Sequence, residues 1–267
     1  MPADEVLYEV ADHVATISFN RPERRNAVTF DTGEQLRDAL ARASADVDVR
    51  AVVLTGVGTA FCAGDDVEAA WGDPRMEAIT KELGSLRPPL TPEIEMFQGC
   101  TKPLIAAVNG AAVGIGMDFA VLCDIRIASS KAKFGQLFVK MGLMADTTGY
   151  WRLPQIVGPG KAAELLFTGD VIDAAEALRI GLVTQVVEPD DLLPAAYAIA
   201  GRIAANPPLA VAHLKEGLRR GLGASSADLP EIAVFVGNGL ARLFATNDHK
   251  EAAAAFLEKR PATFTGT

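Results

Sequence analysis

The stretch that most limits how this chain can fold is 106–129, AAVNGAAVGIGMDFAVLCDIRIAS. It is almost wholly small or apolar and carries Gly110, Gly114 and Gly116 close together. It then sets one carboxylate, Asp118, among Met117, Phe119, Ala120 and Val121. The uncharged run from Pro103 to Met117 is broken by Asn109 and three glycines and is too short to span a bilayer, so it reads as interior of a globular fold. An unpartnered carboxylate in such surroundings is costly and shifts its pKa. Asp118 is therefore paired, exposed or used.

The flanks of this stretch read as buried strands, Leu104–Val108 before the glycines and Ile125–Ala128 after Asp118. The same arrangement occurs earlier. Arg50–Thr55 is a buried strand ended by Gly56, and TAFCAGDDV follows at 59–67. Val14–Phe19 alternates Ala15, Ile17 and Phe19 against Val14, Thr16 and Ser18, as a strand does. Thr29–Ser44 places Leu36, Ala39, Leu40 and Ala43 on one helical face. From Pro159 the pattern turns helical, with Gly169 and Gly181 as stops and Asp173 as an N-cap. The segment Trp71–Pro92, rich in Pro, Gly and charge, reads as a long surface loop, and 221–230, GLGASSADLP, as a second loop. Strands alternating with helices predict an α/β (α+β) core.

Composition excludes several function classes. The net charge of −9 disfavours nucleic acid and anionic membrane surfaces. Cys62, Cys100 and Cys123 are odd in number and far apart, which argues against a disulfide framework or zinc knuckle and for reduced thiols. No signal-peptide pattern stands at the start, so a cytoplasmic protein is expected. The glycines near 114 fail the dinucleotide fingerprint, because Phe119 stands where a third small residue belongs. There is no phosphate-loop or G-x-S-x-G motif, and His13, His213 and His249 lie in unrelated contexts, so no metal site is read. What remains is two strand–small turn–helix junctions. Such junctions leave backbone N–H groups unpaired, and two of them converging make an oxyanion hole.

In these residues the chain resembles the crotonase (enoyl-CoA hydratase/isomerase) superfamily. The likeness is carried by Asn20-Arg21-Pro22 with Asn26-Ala27, Phe61 to Asp66, Lys102-Pro103, Ala106 to Gly116, Cys123-Asp124-Ile125 and Phe134-Gly135. It continues through RLPQIVG at 152–158, LLFTGDVIDAAEALRIGLV at 165–183 and FLEKR at 256–260. The resemblance implies a spiral of ββα units over 1–199, holding the CoA and acyl site, and a helical oligomerisation region over 200–267 that forms a homotrimer or a dimer of trimers. It implies an acyl-CoA substrate whose thioester oxygen is held by the backbone N–H groups of Asp65 and Ile115. No cofactor is implied, coenzyme A being part of the substrate, and no nucleic-acid or membrane partner.

The same resemblance implies roles for individual side chains. Asp118 stands where the family often carries a catalytic glutamate, and Asp146 where dienoyl-CoA isomerases carry an aspartate. The second carboxylate of the hydratases falls at Phe138, a departure. Proton shuttling by Asp118 and Asp146 in an enoyl- or dienoyl-CoA isomerisation fits these residues better than hydration, which stays open. The departure also supports an alternative, a catalytically inactive CoA-thioester binding or scaffold protein. Arg24, Arg25, Ala63, Phe256 and Lys259 are the expected CoA contacts, Met117 and Phe138 the expected acyl-pocket residues. Glu93 and Glu95 stand just after the 71–92 segment, where a surface position is the default reading and entry into the site from its end the alternative.

Overall fold

The computed structural model of the protein describes residues 4–70, 73–84 and 91–267. Six strands form the main sheet in the spatial order β1 (Val6–Ala11), β2 (Val14–Phe19), β3 (Ala51–Gly56), β5 (Leu104–Val108), β7 (Ile125–Ser129) and β10 (Gln185–Val187). The β1–β2 hairpin is antiparallel, and every other neighbour pair is parallel. A small sheet stands beside it, in the order β4 (Ala60–Cys62), β6 (Ala111–Val113), β8 (Lys133–Gly135) and β9 (Val171–Asp173).

The chain repeats one step. A main-sheet strand leads through a turn into a small-sheet strand and then into a helix. Thus β3 and β4 are followed by the single turn α2 (Val67–Ala70), and β5 and β6 by α5 (Ile115–Leu122). After β7 and β8 come a short 3-10 helix, Leu137–Met141, and α6 (Thr147–Val157). This is the expected spiral of ββα units.

Residue alternation explains why both faces of the main sheet are covered. Ala15, Ile17, Phe19, Val52, Leu54, Leu104, Ala106 and Val108 face one core, shared with α1 (Phe30–Ala45) and α5. Val14, Ala51, Val53, Ile105, Ala107 and Ile127 face a second core, closed by Leu192, Ala196 and Ala200 of α9 (Leu192–Ala204). Helix α9 runs as one element across position 199. The apolar face read from the sequence of α1 is its buried face, and Thr29 is the N-cap.

Two readings are corrected. The segment Trp71–Pro92 is not one loop, since α3 (Pro74–Leu83) occupies much of it and α4 (Pro92–Gly99) begins at its end. Asp73 caps α3 by accepting from the Arg75 N–H at 2.8 Å, and Pro74 opens its first turn. The α3 residues 74–82 are exposed, so a search for an apolar stripe passes over this helix. Of the same segment, 71–72 and 85–90 lie outside the described residues. The short strands β1, β4, β6, β8, β9 and β10 were also not anticipated, five of them only three residues long. The remaining helices are α7 (Pro159–Thr168), α8 (Ala174–Arg179), α10 (Pro208–Gly221), α11 (Leu229–Phe244) and α12 (Asn247–Glu258). None of the described helices is long and apolar enough to cross a membrane.

Candidate active site

Strands β4 and β6 pair in parallel, so the turns that leave them lie side by side. Cys62 leads into Ala63-Gly64-Asp65, and Val113 into Gly114-Ile115. Both turn glycines have positive φ, +97° at Gly64 and +55° at Gly114. A Cβ on Gly64 would stand 3.2 Å from the Val113 carbonyl oxygen, and one on Gly114 would stand 3.7 Å from the Gly64 Cα. The two backbones therefore meet at close range, which only glycine permits here.

Side-chain amides lock the approach. Asn109 Nδ2 donates to the carbonyls of Gly56 and Ala60 at 2.9 and 3.1 Å. Asn26 Nδ2 donates to the carbonyls of Ala60 and Val57 at 2.8 and 3.0 Å. Around the turns most amides are occupied: Gly114 donates to the Gly135 carbonyl and Asp66 to the Val28 carbonyl. The Ile115 amide, first in α5, has no acceptor among the described residues, and the Asp65 amide meets only its own carboxyl group.

Behind these amides stands Asp118, on the first turn of α5 and 1% exposed. Its Oδ1 accepts a 2.7 Å hydrogen bond from Gln136 Nε2, and its Oδ2 has no partner among the described residues. Burial pushes this carboxyl well above the ordinary aspartate value. The charge of Asp146 raises it further, the Gln136 bond works the other way, and Asp65 and Glu93 add to the rise. Gln136 is itself buried, with an unpartnered Oε1, and Thr148 Oγ1 is a third orphaned buried atom.

Asp146 is the N-cap of α6, its Oδ1 accepting from the Thr148 N–H at 2.7 Å. Its Oδ2 faces the Thr91 hydroxyl at 3.5 Å. Glu93, half-buried in the first turn of α4, is raised by desolvation and by the charges of Asp146 and Asp65. Asp65 is open to solvent on one side, yet the cleft desolvates its carboxyl enough to raise it, with Asp146 contributing. Four carboxyls from four elements thus share one field. Glu95 is exposed.

The structure brings Asp65, Ile115, Asp118 and Asp146 together. Met117 is fully buried in the main core, and Phe138 is half-buried on the 3-10 helix that follows β8. Arg24, Arg25 and Ala63 form a second group, in which the Ala63 N–H donates to the Arg25 carbonyl at 3.1 Å. Arg24 is already bridged to Asp66 at 3.1 Å and Glu68 at 2.7 Å. Phe256 and Lys259 lie elsewhere, exposed on and just after α12. Gln136 and Thr91 were not singled out from the sequence. The signal for Gln136 was one amide side chain in the otherwise apolar exit of β8, FGQLF.

Comparison with known proteins agrees with this architecture. The family model for enoyl-CoA hydratase/isomerase matches residues 9–267. Crotonyl-CoA hydratase of Syntrophomonas wolfei is 41% identical over 265 residues, 99% of each chain. Short-chain-enoyl-CoA hydratase of Clostridium acetobutylicum is 39% identical over 97% of each. The crystal structure of enoyl-CoA hydratase from Bacillus anthracis superposes with a TM-score of 0.89 at 31% identity, covering 98% of this chain and 100% of that one. The chain belongs to the enoyl-CoA hydratase/isomerase family.

Proposed function

We propose that this protein is an acyl-CoA enzyme that moves protons at the α- and β-carbons of an enoyl thioester, with hydration of a short 2-enoyl-CoA as its reaction. The observation that carries this reading is the pairing of Asp118, one oxygen held by Gln136 and the other unpartnered, with two uncommitted turn amides. In this reading the amides of Asp65 and Ile115 donate to the thioester carbonyl oxygen, where charge grows as the enolate forms. One such donor is worth about 10²–10³ in rate. Asp118 exchanges the proton, and the upward shift that burial gives its pKa is in the direction general acid–base work calls for. The hydratase names of the relatives favour water addition. A second reading, proton shuttling in an enoyl- or dienoyl-CoA isomerisation, draws on Asp146, whose charge reaches Asp118.

Arg24, Arg25 and the Ala63 backbone are assigned to the CoA phosphates and adenine, with Phe256 and Lys259 reaching a CoA from another subunit. The exposed apolar side chains Val234, Val236, Leu240 and Phe244 on α11 support burial between copies, as a trimer or a dimer of trimers. Light scattering checks the assembly, and a monomer mass refutes it. For the chemistry, crotonyl-CoA is offered to wild type and to Asp118→Asn. Loss of about 10²–10⁴ in kcat is expected. An Asp118→Asn enzyme that turns over enoyl- and dienoyl-CoA at the wild-type rate refutes the assignment.

A further inference from the structure

We propose that Glu93 is the second acid–base residue of this site, filling from α4 the role that has no carboxyl at Phe138. The inference rests on the hydration reading given above. Water addition needs one group to take a proton from water and another to deliver one to the α-carbon.

The geometry places Glu93 for that work. Glu93 and Phe97 are four residues apart on α4 and share a face. The Phe97 ring stacks on Phe119 of α5, with centroids 5.7 Å apart and planes 14° from parallel. Phe119 is the residue after Asp118. The face of α4 that bears Glu93 is thus the one docked on α5, beside the residue that bears the reading's first acid. Thr91, the N-cap of α4, reaches Asp146 with its hydroxyl and ties the same end of α4 to the cluster.

The cluster also shows unmet demand. Asp118 Oδ2, Gln136 Oε1 and Thr148 Oγ1 are all buried without partners among the described residues, as expected where a ligand supplies the missing contacts. All the acids but Asp118 have local hydrogen-bond partners, Glu93 meeting its own amide and the Thr91 hydroxyl. Asp146 spends Oδ1 on capping α6, and Asp65 opens to solvent. Glu93 is half-buried, and its charge acts on Asp118.

The step balances as a simple addition. One carboxylate takes a proton from water while the water oxygen bonds to the β-carbon. The π electrons of the double bond take the proton of the other carboxylic acid at the α-carbon. The product is the 3-hydroxyacyl thioester, and the proton left on the first carboxyl returns the pair to its starting state.

The test is Glu93→Gln in the full-length protein, with Glu95→Gln on the exposed side of α4 as the control. Hydration of crotonyl-CoA and thermal unfolding are both measured. A kcat loss of about 10²–10⁴ is expected, with KM within about threefold of wild type. The melting temperature should rise at pH 8, because a carboxylate whose charge acts on buried Asp118 is gone. That gain should vanish near pH 4, where Glu93 is neutral in the wild type as well. Glu95→Gln should match wild type. If Glu93→Gln keeps its kcat while Asp118→Asn loses it, the role of Glu93 is refuted and the hydration reading stands. A kcat loss with a lowered melting temperature marks a structural role and also refutes it. A wild type inert toward crotonyl-CoA removes both.

Discussion

Gly116→Ala tests whether the two turns are held at backbone contact. A Cβ at position 116 would stand 2.2 Å from the Cys62 carbonyl oxygen and 2.8 Å from the Cys62 carbonyl carbon and Cβ. A carbon needs about 3.3 Å from an oxygen, so α5 and β4 must part by about 1 Å. The atoms met are mostly backbone, within a β4–β6 pairing already locked by Asn109 and Asn26, and no flexible side chain can yield instead. Overpacking of this kind costs about 1–3 kcal/mol, or about 2–5 °C in melting temperature for a chain this long. The same parting carries the Ile115 amide away from the Asp65 amide, and a 1 Å misplacement costs about 10²-fold in rate. Gly33→Ala is the contrast, since nothing lies within 4 Å of its Cβ position inside α1. It should leave turnover alone and stabilise by about 0.5–1 kcal/mol through helix propensity. Differential scanning fluorimetry and loss of the enoyl-thioester absorbance of crotonyl-CoA read both effects. A Gly116→Ala protein with the parental melting temperature and turnover within about threefold refutes the contact on which the site is built.

Two more perturbations probe the frame around the site. Burial works against ionisation of Asp66, but hydrogen bonds from Arg24, the Ala69 N–H and Arg21 hold it at about 2, below its ordinary 3.8. The stability it contributes is therefore complete above the ordinary value and is lost as pH falls toward 2. Asp66→Asn should cost about 1 kcal/mol at pH 6, discounted because Arg24 is largely exposed, and nothing near pH 2. Urea denaturation across that range decides it, and a cost that ignores pH sinks the account. Asp248, buried under the C-terminal tail, accepts from the amides of Thr265 and Gly266 at 2.7 and 2.9 Å. Asp248→Ala should lower stability by about 2–3 kcal/mol and open the tail to limited proteolysis, and a tail that stays protected contradicts it.

Much of the fold was legible because burial wrote it into the chain. The apolar runs at 14–19, 50–55 and 104–108 lie in the main sheet, and Leu36, Ala39, Leu40 and Ala43 form the buried face of α1. Helix α3 was illegible for the converse reason, since its cap and its helix formers mark it while its exposed surface carries no periodic signal. The three-residue strands of the small sheet were hidden inside glycine turns, where pairing is decided by distant partners rather than by local preference. Within the site, the turns were marked by glycines that tolerate positive φ and close approach. Gln136 was not marked, because its bond to Asp118 spans two elements.

The acids show most sharply what a chain cannot state locally. Asp65, Glu93, Asp118 and Asp146 follow β4, open α4, open α5 and cap α6, and nothing in their spacing says that their fields overlap. In the fold the charges of Asp146, Asp65 and Glu93 all act on Asp118, which no local spacing announces. The carboxyls of Asp118, Glu93 and Asp65 are raised in the fold. Folding therefore takes up protons at this cleft, and the cluster's cost grows as pH rises from the ordinary carboxylate range through the raised values. This is the reverse of the Asp66 bridge, whose contribution disappears on the acid side. Neighbouring carboxyls of one turn thus pull in opposite directions, Asp66 stabilising the fold when ionised and Asp65 belonging to a cluster strained by ionisation. The upward direction of these shifts is the one that favours holding a proton, and proton transfer to a carbon beside a thioester needs a carboxyl that does so.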